Sequence, residues 1–135
     1  MPSRLTHLQF DEILREKGII SEDTDGSSVH NRMDKGSNKY GANHRVEDPF
    51  HNPEGIREFI NNMVNSLGTI SQKTATDYVR IAYGHLCLDY MTTKLKDKND
   101  WSDDDIDWET AFERAYNFYR TKGFHKTYYK YINKG

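Results

Sequence analysis

The sequence predicts an all-α fold, a compact bundle of four to five helices with a long irregular arm over about residues 19–52. Three observations carry that reading. After Pro53, apolar residues recur at helical spacing as Ile56, Phe59, Ile60, Met63, Val64 and Leu67, which is one stripe of an amphipathic helix. Thr6 with Gln9, and Ser102 with Asp105, have the spacing of capping boxes at helix starts. No segment alternates apolar and polar residues as a half-buried strand does.

The first helix is expected over residues 7–17. Thr6 caps it, Leu5 and Phe10 form a hydrophobic staple across the cap, and Gly18 ends it. Residues 19–52 then lose all periodicity. "SEDTDGSS" is turn-forming, and "NRMDKGSNKYGANHRVEDPFHNP" mixes Gly, Asn and charge. The second helix opens with Asn52 as cap and Pro53 at the first position, where a missing N–H costs nothing, and Gly68 stops it. The third begins after the cap Ser71 and runs to about Lys96. Its two apolar stripes, Val79, Ala82, Tyr83, Leu86, Tyr90 and Ile81, Leu88, Met91, Leu95, make it the central element. Gly84 in its middle implies close approach by a neighbour. The fourth opens at Ser102, with Trp101 and Ile106 as its staple, and Gly123 breaks it. A short fifth helix follows in "FHKTYYKYI". The chain reads as one domain: an N-terminal helix to residue 18, the arm, and the bundle from 53 to 135.

Composition bounds the function classes. The chain has 135 residues, with 35% apolar, 30% charged and 13% aromatic residues, so the core is modest and rings supply much of it. A net charge of −2 leaves only local clusters to speak for nucleic acid. The single cysteine, Cys87, excludes an intrachain disulfide and suits a reducing compartment. No run of about 18 apolar residues predicts a membrane span, and "MPSRLTHLQF" lacks the apolar centre of a signal peptide. The expectation is a soluble, intracellular protein.

Cations gather where acids are missing. From Asn117 to the C-terminus there is no Asp or Glu, while Arg120, Lys122, Lys126, Lys130 and Lys134 are interleaved with Phe and Tyr. Lys73 and Arg80 lie two turns apart on the third helix. Such side chains neutralise phosphates without reading bases. The opposite pattern, Asp97, Asp100, Asp103, Asp104, Asp105, Asp107 and Glu109, is a helix-start acid cluster or a protein-docking surface.

Metal and catalytic signals are sparser. His30, His44 and His51 share the arm with Asp34, Glu47 and Asp48, and His85 and Asp89 stand at i, i+4. No zinc-finger or H-E-x-x-H spacing occurs, and Cys87 between Leu86 and Leu88 behaves as a small apolar group. Neither a metal, a cofactor nor a catalytic residue is expected.

The stretch "PEGIREFINNMVNSLGTISQKTATDYVRIAYGHLCLDYM" resembles the helical core-binding domain of tyrosine recombinases. Phe59, Gly68, Ser71, Thr74 and Tyr78, followed by Ile81 and Leu86, carry the likeness, which extends over residues 53–132. The family's catalytic Arg, His-x-x-Arg and Tyr nucleophile are not in this sequence, so the resemblance implies DNA binding without recombination. By position it implies Lys73, Thr74 and Arg80 as phosphate contacts, joined by Arg120, Lys122, Lys126 and Lys130. A looser likeness in layout, with Glu54, Glu58, Asp77, His85 and Asp89 on adjacent helices, is to the all-α nucleotide pyrophosphohydrolases related to MazG.

The first expectation is therefore a small non-catalytic module for duplex DNA. The alternative is an accessory protein of a phage or mobile element, docking on another protein or itself through residues 19–52 and 97–109. The third is a metal-dependent nucleotide hydrolase.

Overall fold

The computed structural model describes residues 3–40, 53–68 and 70–128, without the side chains of residues 35–40. Among them the fold is all-α. Five helices form, α1 (Arg4–Glu16), α2 (Ser27–Tyr40), α3 (Pro53–Asn65), α4 (Gln72–Asn99) and α5 (Trp108–Thr121), with 3-10 turns at Asp103–Asp105 and Phe124–Lys126. None of the described helices is long and apolar enough to cross a membrane.

α1 starts three residues earlier than expected. Ser3 rather than Thr6 is the cap, its hydroxyl accepting from Thr6 N at 3.2 Å. Leu5 thus falls inside the helix on its outer side and is 67% exposed, so it staples nothing. The inner face is His7, Phe10, Asp11 and Leu14. The helix ends as Gly18 predicts: Gly18 N bonds Arg15 O, Ile19 N bonds Leu14 O, and Gly18 takes φ +73°. That is a Schellman close, with Ile19 and Leu14 both buried.

The irregular arm is corrected over part of its length, because α2 occupies residues 27–40. Asp25 starts it by accepting from Ser27 N at 2.9 Å and Ser27 Oγ at 2.7 Å. Val29, His30 and Met33 form its buried face. Two aliphatic residues and one histidine are too little apolar signal to reveal a helix by periodicity. Residues 41–52, with His44, His51, Glu47 and Asp48, lie outside the described residues.

α3 buries Ile56, Ile60, Met63 and Val64, with Phe59 and Leu67 half-buried at the rim. α4 is central, as its two stripes require. It packs against α1, α2, α3 and α5, and residues 81–89 are buried on every side. Gly84 permits the approach of α1. A Cβ there would sit 3.2 Å from Leu14 Cδ1 and 3.3 Å from Phe10 Cε2. α5 lies along α4 and buries Ala111, Ala115 and Tyr119, whose hydroxyl donates to Arg80 O at 3.0 Å.

The start of α5 differs from expectation. The Ser102–Asp105 capping box forms, but on a single 3-10 turn. The α-helix begins anew at Trp108, after Asp107. The expected fifth helix is a 3-10 turn over Phe124–Lys126, and residues 129–135 lie outside the described residues.

Candidate metal centre

Three helices each carry a histidine four residues before an aspartate: His7 and Asp11 on α1, His30 and Asp34 on α2, His85 and Asp89 on α4. Residues at i, i+4 share one helix face. In each helix that face turns toward the other two.

The three imidazoles meet in the interior. One nitrogen from each lies within 4.8 Å of the others, and all three residues are buried. The His7 and His85 rings stack at 3.7 Å between centroids, 8° from parallel. The His30 ring lies 5.3 Å from His7 and 5.2 Å from His85. His30 Nδ1 and His85 Nδ1 are 2.9 Å apart.

Carboxylates stand on the far sides of these rings. Asp11 Oδ2 is 2.7 Å from His30 Nε2, with both side chains 1% exposed. Asp89 spans the other two: Oδ1 is 3.1 Å from His7 Nε2 and Oδ2 is 3.3 Å from His85 Nε2. Asp34 Oδ1 lies 3.7 Å from His85 Nε2 and is half-exposed. Gly26 makes room for Asp11, since a Cβ at this glycine would fall 2.3 Å from Asp11 Oδ2.

The electrostatics follow from burial. Desolvation, helped by His7, pushes His85 down to about 4 against the pull of Asp89, so its ring is neutral near pH 7. Burial alone would raise Asp89, but His85 and the N–H contacts from His7 and His85 outweigh it and hold the carboxyl below its ordinary value. Asp11 goes the other way: burial raises it despite the hydrogen bond and charge of His30. Two buried atoms of the cluster, His7 Nδ1 and Asp11 Oδ1, complete no hydrogen bond, and Asp89 Oδ1 has only the 3.1 Å contact of His7 Nε2.

The DNA-contact candidates lie elsewhere. Lys73 is exposed at the start of α4, and Thr74 closes the cap there with Ser71. The Arg80 guanidinium turns onto the backbone, donating from Nε to Thr127 O at 3.0 Å and from NH1 to Ile19 O at 2.7 Å. It thereby ties α4 to the segments after α1 and α5. Arg120, Lys122 and Lys126 are exposed near the end of α5, with Lys122 Nζ 5.4 Å above the Phe118 ring. Lys130 lies outside the described residues. In the acidic stretch, Lys96 Nζ meets Asp103 Oδ1 at 2.5 Å.

The hydrolase candidates divide. Glu54 and Glu58 are exposed on α3. Asp77 accepts from Ser21 N at 3.2 Å and Thr24 Oγ1 at 2.7 Å, pinning the loop between α1 and α2. Only His85 and Asp89 enter the histidine cluster. His7 and Asp11 escaped sequence reasoning altogether. The signal that would have found them is the recurrence of His-x-x-x-Asp, which the sequence carries four times, from His7, His30, His44 and His85.

Comparison with family models, with curated proteins and with solved structures gives no match for this chain.

Proposed function

We propose that this chain is a metal-dependent protein that holds one divalent transition-metal ion between α1, α2 and α4 through His7, His30 and His85, the stacked His7 and His85 rings turning out of parallel to ligate it. The observation that carries the reading is the convergence of three His-x-x-x-Asp turns on one buried point. A purely structural core histidine would be expected to satisfy its polar atoms. Here His7 Nδ1 does not, and an orphaned buried group costs about 1–3 kcal/mol. A cation offsets that cost, and imidazole donors suit zinc, copper, iron or nickel. This replaces the expectation of no metal.

Three histidines leave a fourth tetrahedral position for water or substrate, as in catalytic zinc sites, whereas structural zinc sites take four protein ligands. The reading therefore extends to metal-assisted hydrolysis.

The test is metal content of the purified chain by mass spectrometry, with calorimetric titration of Zn²⁺, Co²⁺ and Mn²⁺ into the stripped protein. One equivalent should bind, and His7→Ala or His85→Ala should remove it. No uptake of any of these ions at micromolar concentration sinks the reading. Metal-dependent release of phosphate from nucleoside triphosphates or p-nitrophenyl phosphate, lost in His7→Ala, supports the hydrolytic extension; uptake without turnover of either substrate class counts against it.

A second proposal keeps the phosphate-contact reading. It is supported by exposed Arg120, Lys122 and Lys126 in a stretch with no acid between Asn117 and Tyr128. Band shifts of duplex DNA that fade steeply with salt, and weaken in Lys122→Glu, are expected. Absence of a shift at low salt removes it.

A further inference from the structure

We propose that the cavity between α3, α4 and the turn after α5 is a binding site for a nucleoside monophosphate, with Arg57 and Lys122 on the phosphate and Tyr128 on the base. This goes beyond the metal reading and does not rest on it. Tyr83 lines the cavity, whereas His85 belongs to the histidine cluster. The two are two residues apart on α4, roughly 200° around the helix axis, so the sites lie on opposite sides of that helix.

The cavity encloses about 690 Å³, which falls within the usual range of small-ligand pockets, about 300–1,000 Å³. Its floor is core: Ile56, Ile60 and Val79 are each at most 3% exposed. Its charges have one sign. Arg57 comes from α3 and Lys122 from the end of α5, and no carboxylate is among the described residues that line it. Neither cation makes an ion pair with a described residue. Lys122 Nζ rests 5.4 Å from the centre of the Phe118 ring. Arg57 lies within hydrogen-bonding reach of the Tyr83 hydroxyl. Burial raises that phenol against the pull of Arg57, so it stays protonated and leaves the guanidinium charge unneutralised.

Cations concentrated in a concavity with apolar walls attract an anion. A phosphate monoester carries about −1.5 to −2 near pH 7, which two cations match, whereas one carboxylate leaves a positive charge over. The guanidinium fork also suits phosphate oxygens in pairs.

The remaining lining suits a flat ring. Phe124 stacks on Tyr83 at 4.3 Å and 12° from parallel, which fixes it as a wall. Tyr128 is 66% exposed and makes no ring contact with a described residue. A base stacks on such a face whatever its identity. The Asn61 amide, which also lines the cavity, offers both a donor and an acceptor to a base edge or a ribose. A sugar phosphate would leave the rings unused, and a nucleoside would leave the cations unused. A base joined to a phosphate monoester engages both.

The experiment is calorimetric titration of the full-length chain with AMP, GMP, CMP and UMP, and separately with inorganic phosphate. At least one nucleotide should bind one to one, about 5–100-fold tighter than phosphate, the margin that stacking supplies. Tyr128→Ala should remove that margin and leave phosphate affinity unchanged. Arg57→Gln should weaken nucleotide and phosphate alike, by at least about tenfold. Both side chains are exposed, so neither change removes core packing, and an unchanged circular dichroism spectrum checks it. A nucleotide that fails to bind at millimolar concentration, or binds no tighter than phosphate, overturns the proposal. So does wild-type nucleotide affinity in either variant. A single-stranded oligonucleotide that binds while no mononucleotide displaces it also overturns the proposal, by assigning the surface to a strand.

Discussion

Gly26 has no side chain, and that is what lets Asp11 reach His30. The start of α2 crosses α1 so closely that an added methyl would lie 2.3 Å from Asp11 Oδ2 and 3.2 Å from Ile81 Cγ2. Asp11 is too short and too enclosed to step aside while keeping its 2.7 Å contact. Gly26→Ala should therefore cost about 1–3 kcal/mol as overpacking and weaken metal uptake at once. Gly84→Ala is the control. Its neighbours are the ends of Leu14 and Phe10 at 3.2 and 3.3 Å, and alanine gains about 1 kcal/mol of helix propensity. That variant should retain wild-type metal affinity and nearly wild-type stability. Denaturant melts with metal titration check both. Equal behaviour of the two variants would dissociate the glycine from the site. Gly84 could be read in the sequence as a close approach because a glycine inside a helix pattern needs a reason. Gly26 sits in a turn-forming run, where glycine needs none.

At the scale of elements, legibility follows how much aliphatic surface each helix buries. α3 was readable because its buried face is wholly apolar, and α4 because two apolar stripes run beside its buried polar residues. α2 was not, because part of its inner face is His30, and a polar residue inside looks like a polar residue outside until its partners are known. The same blindness hid His7 and Asp11, which occupy inward positions of α1. His85 and Asp89 stood out only as an i, i+4 pair. Helix starts are local, and there the error was one of continuation: the Ser102–Asp105 box is satisfied within one 3-10 turn, so it does not commit the chain to an α-helix. The start of α2 gives an element-scale prediction. Ser27 hydroxyl and N–H hold the Asp25 carboxyl below its ordinary value. A depressed folded value means the bond stabilises above the unfolded pKa and is lost as pH falls through the folded one. Asp25→Ala should cost about 0.5–1 kcal/mol near neutrality, a surface effect read as a lower Tm. Wild type and variant should converge in strong acid. A difference that persists there would assign the loss to something other than this carboxylate.

On the scale of the whole molecule, the three histidine-bearing helices come from both sides of residues 41–52 in the chain. α1 and α2 precede residues 41–52, α4 follows α3, and α5 packs along α4. An ion shared by α1, α2 and α4 therefore closes long loops that nothing else cross-links covalently, since the one cysteine is free and buried. Binding to the folded state alone stabilises by RT ln(1 + [L]/Kd), about 2.7 kcal/mol at a hundredfold excess over Kd. For a domain of this size that is a rise of about 10 °C in Tm. Excess Zn²⁺ should raise the melting temperature of the stripped protein by that order, and a chelator should reverse it. His7→Ala should melt at one temperature with or without the ion. Should the variant rise as far as the wild type, zinc is binding at surface carboxylates such as Asp103–Asp105 and not among the three helices, and the buried histidines would then be packing groups rather than ligands.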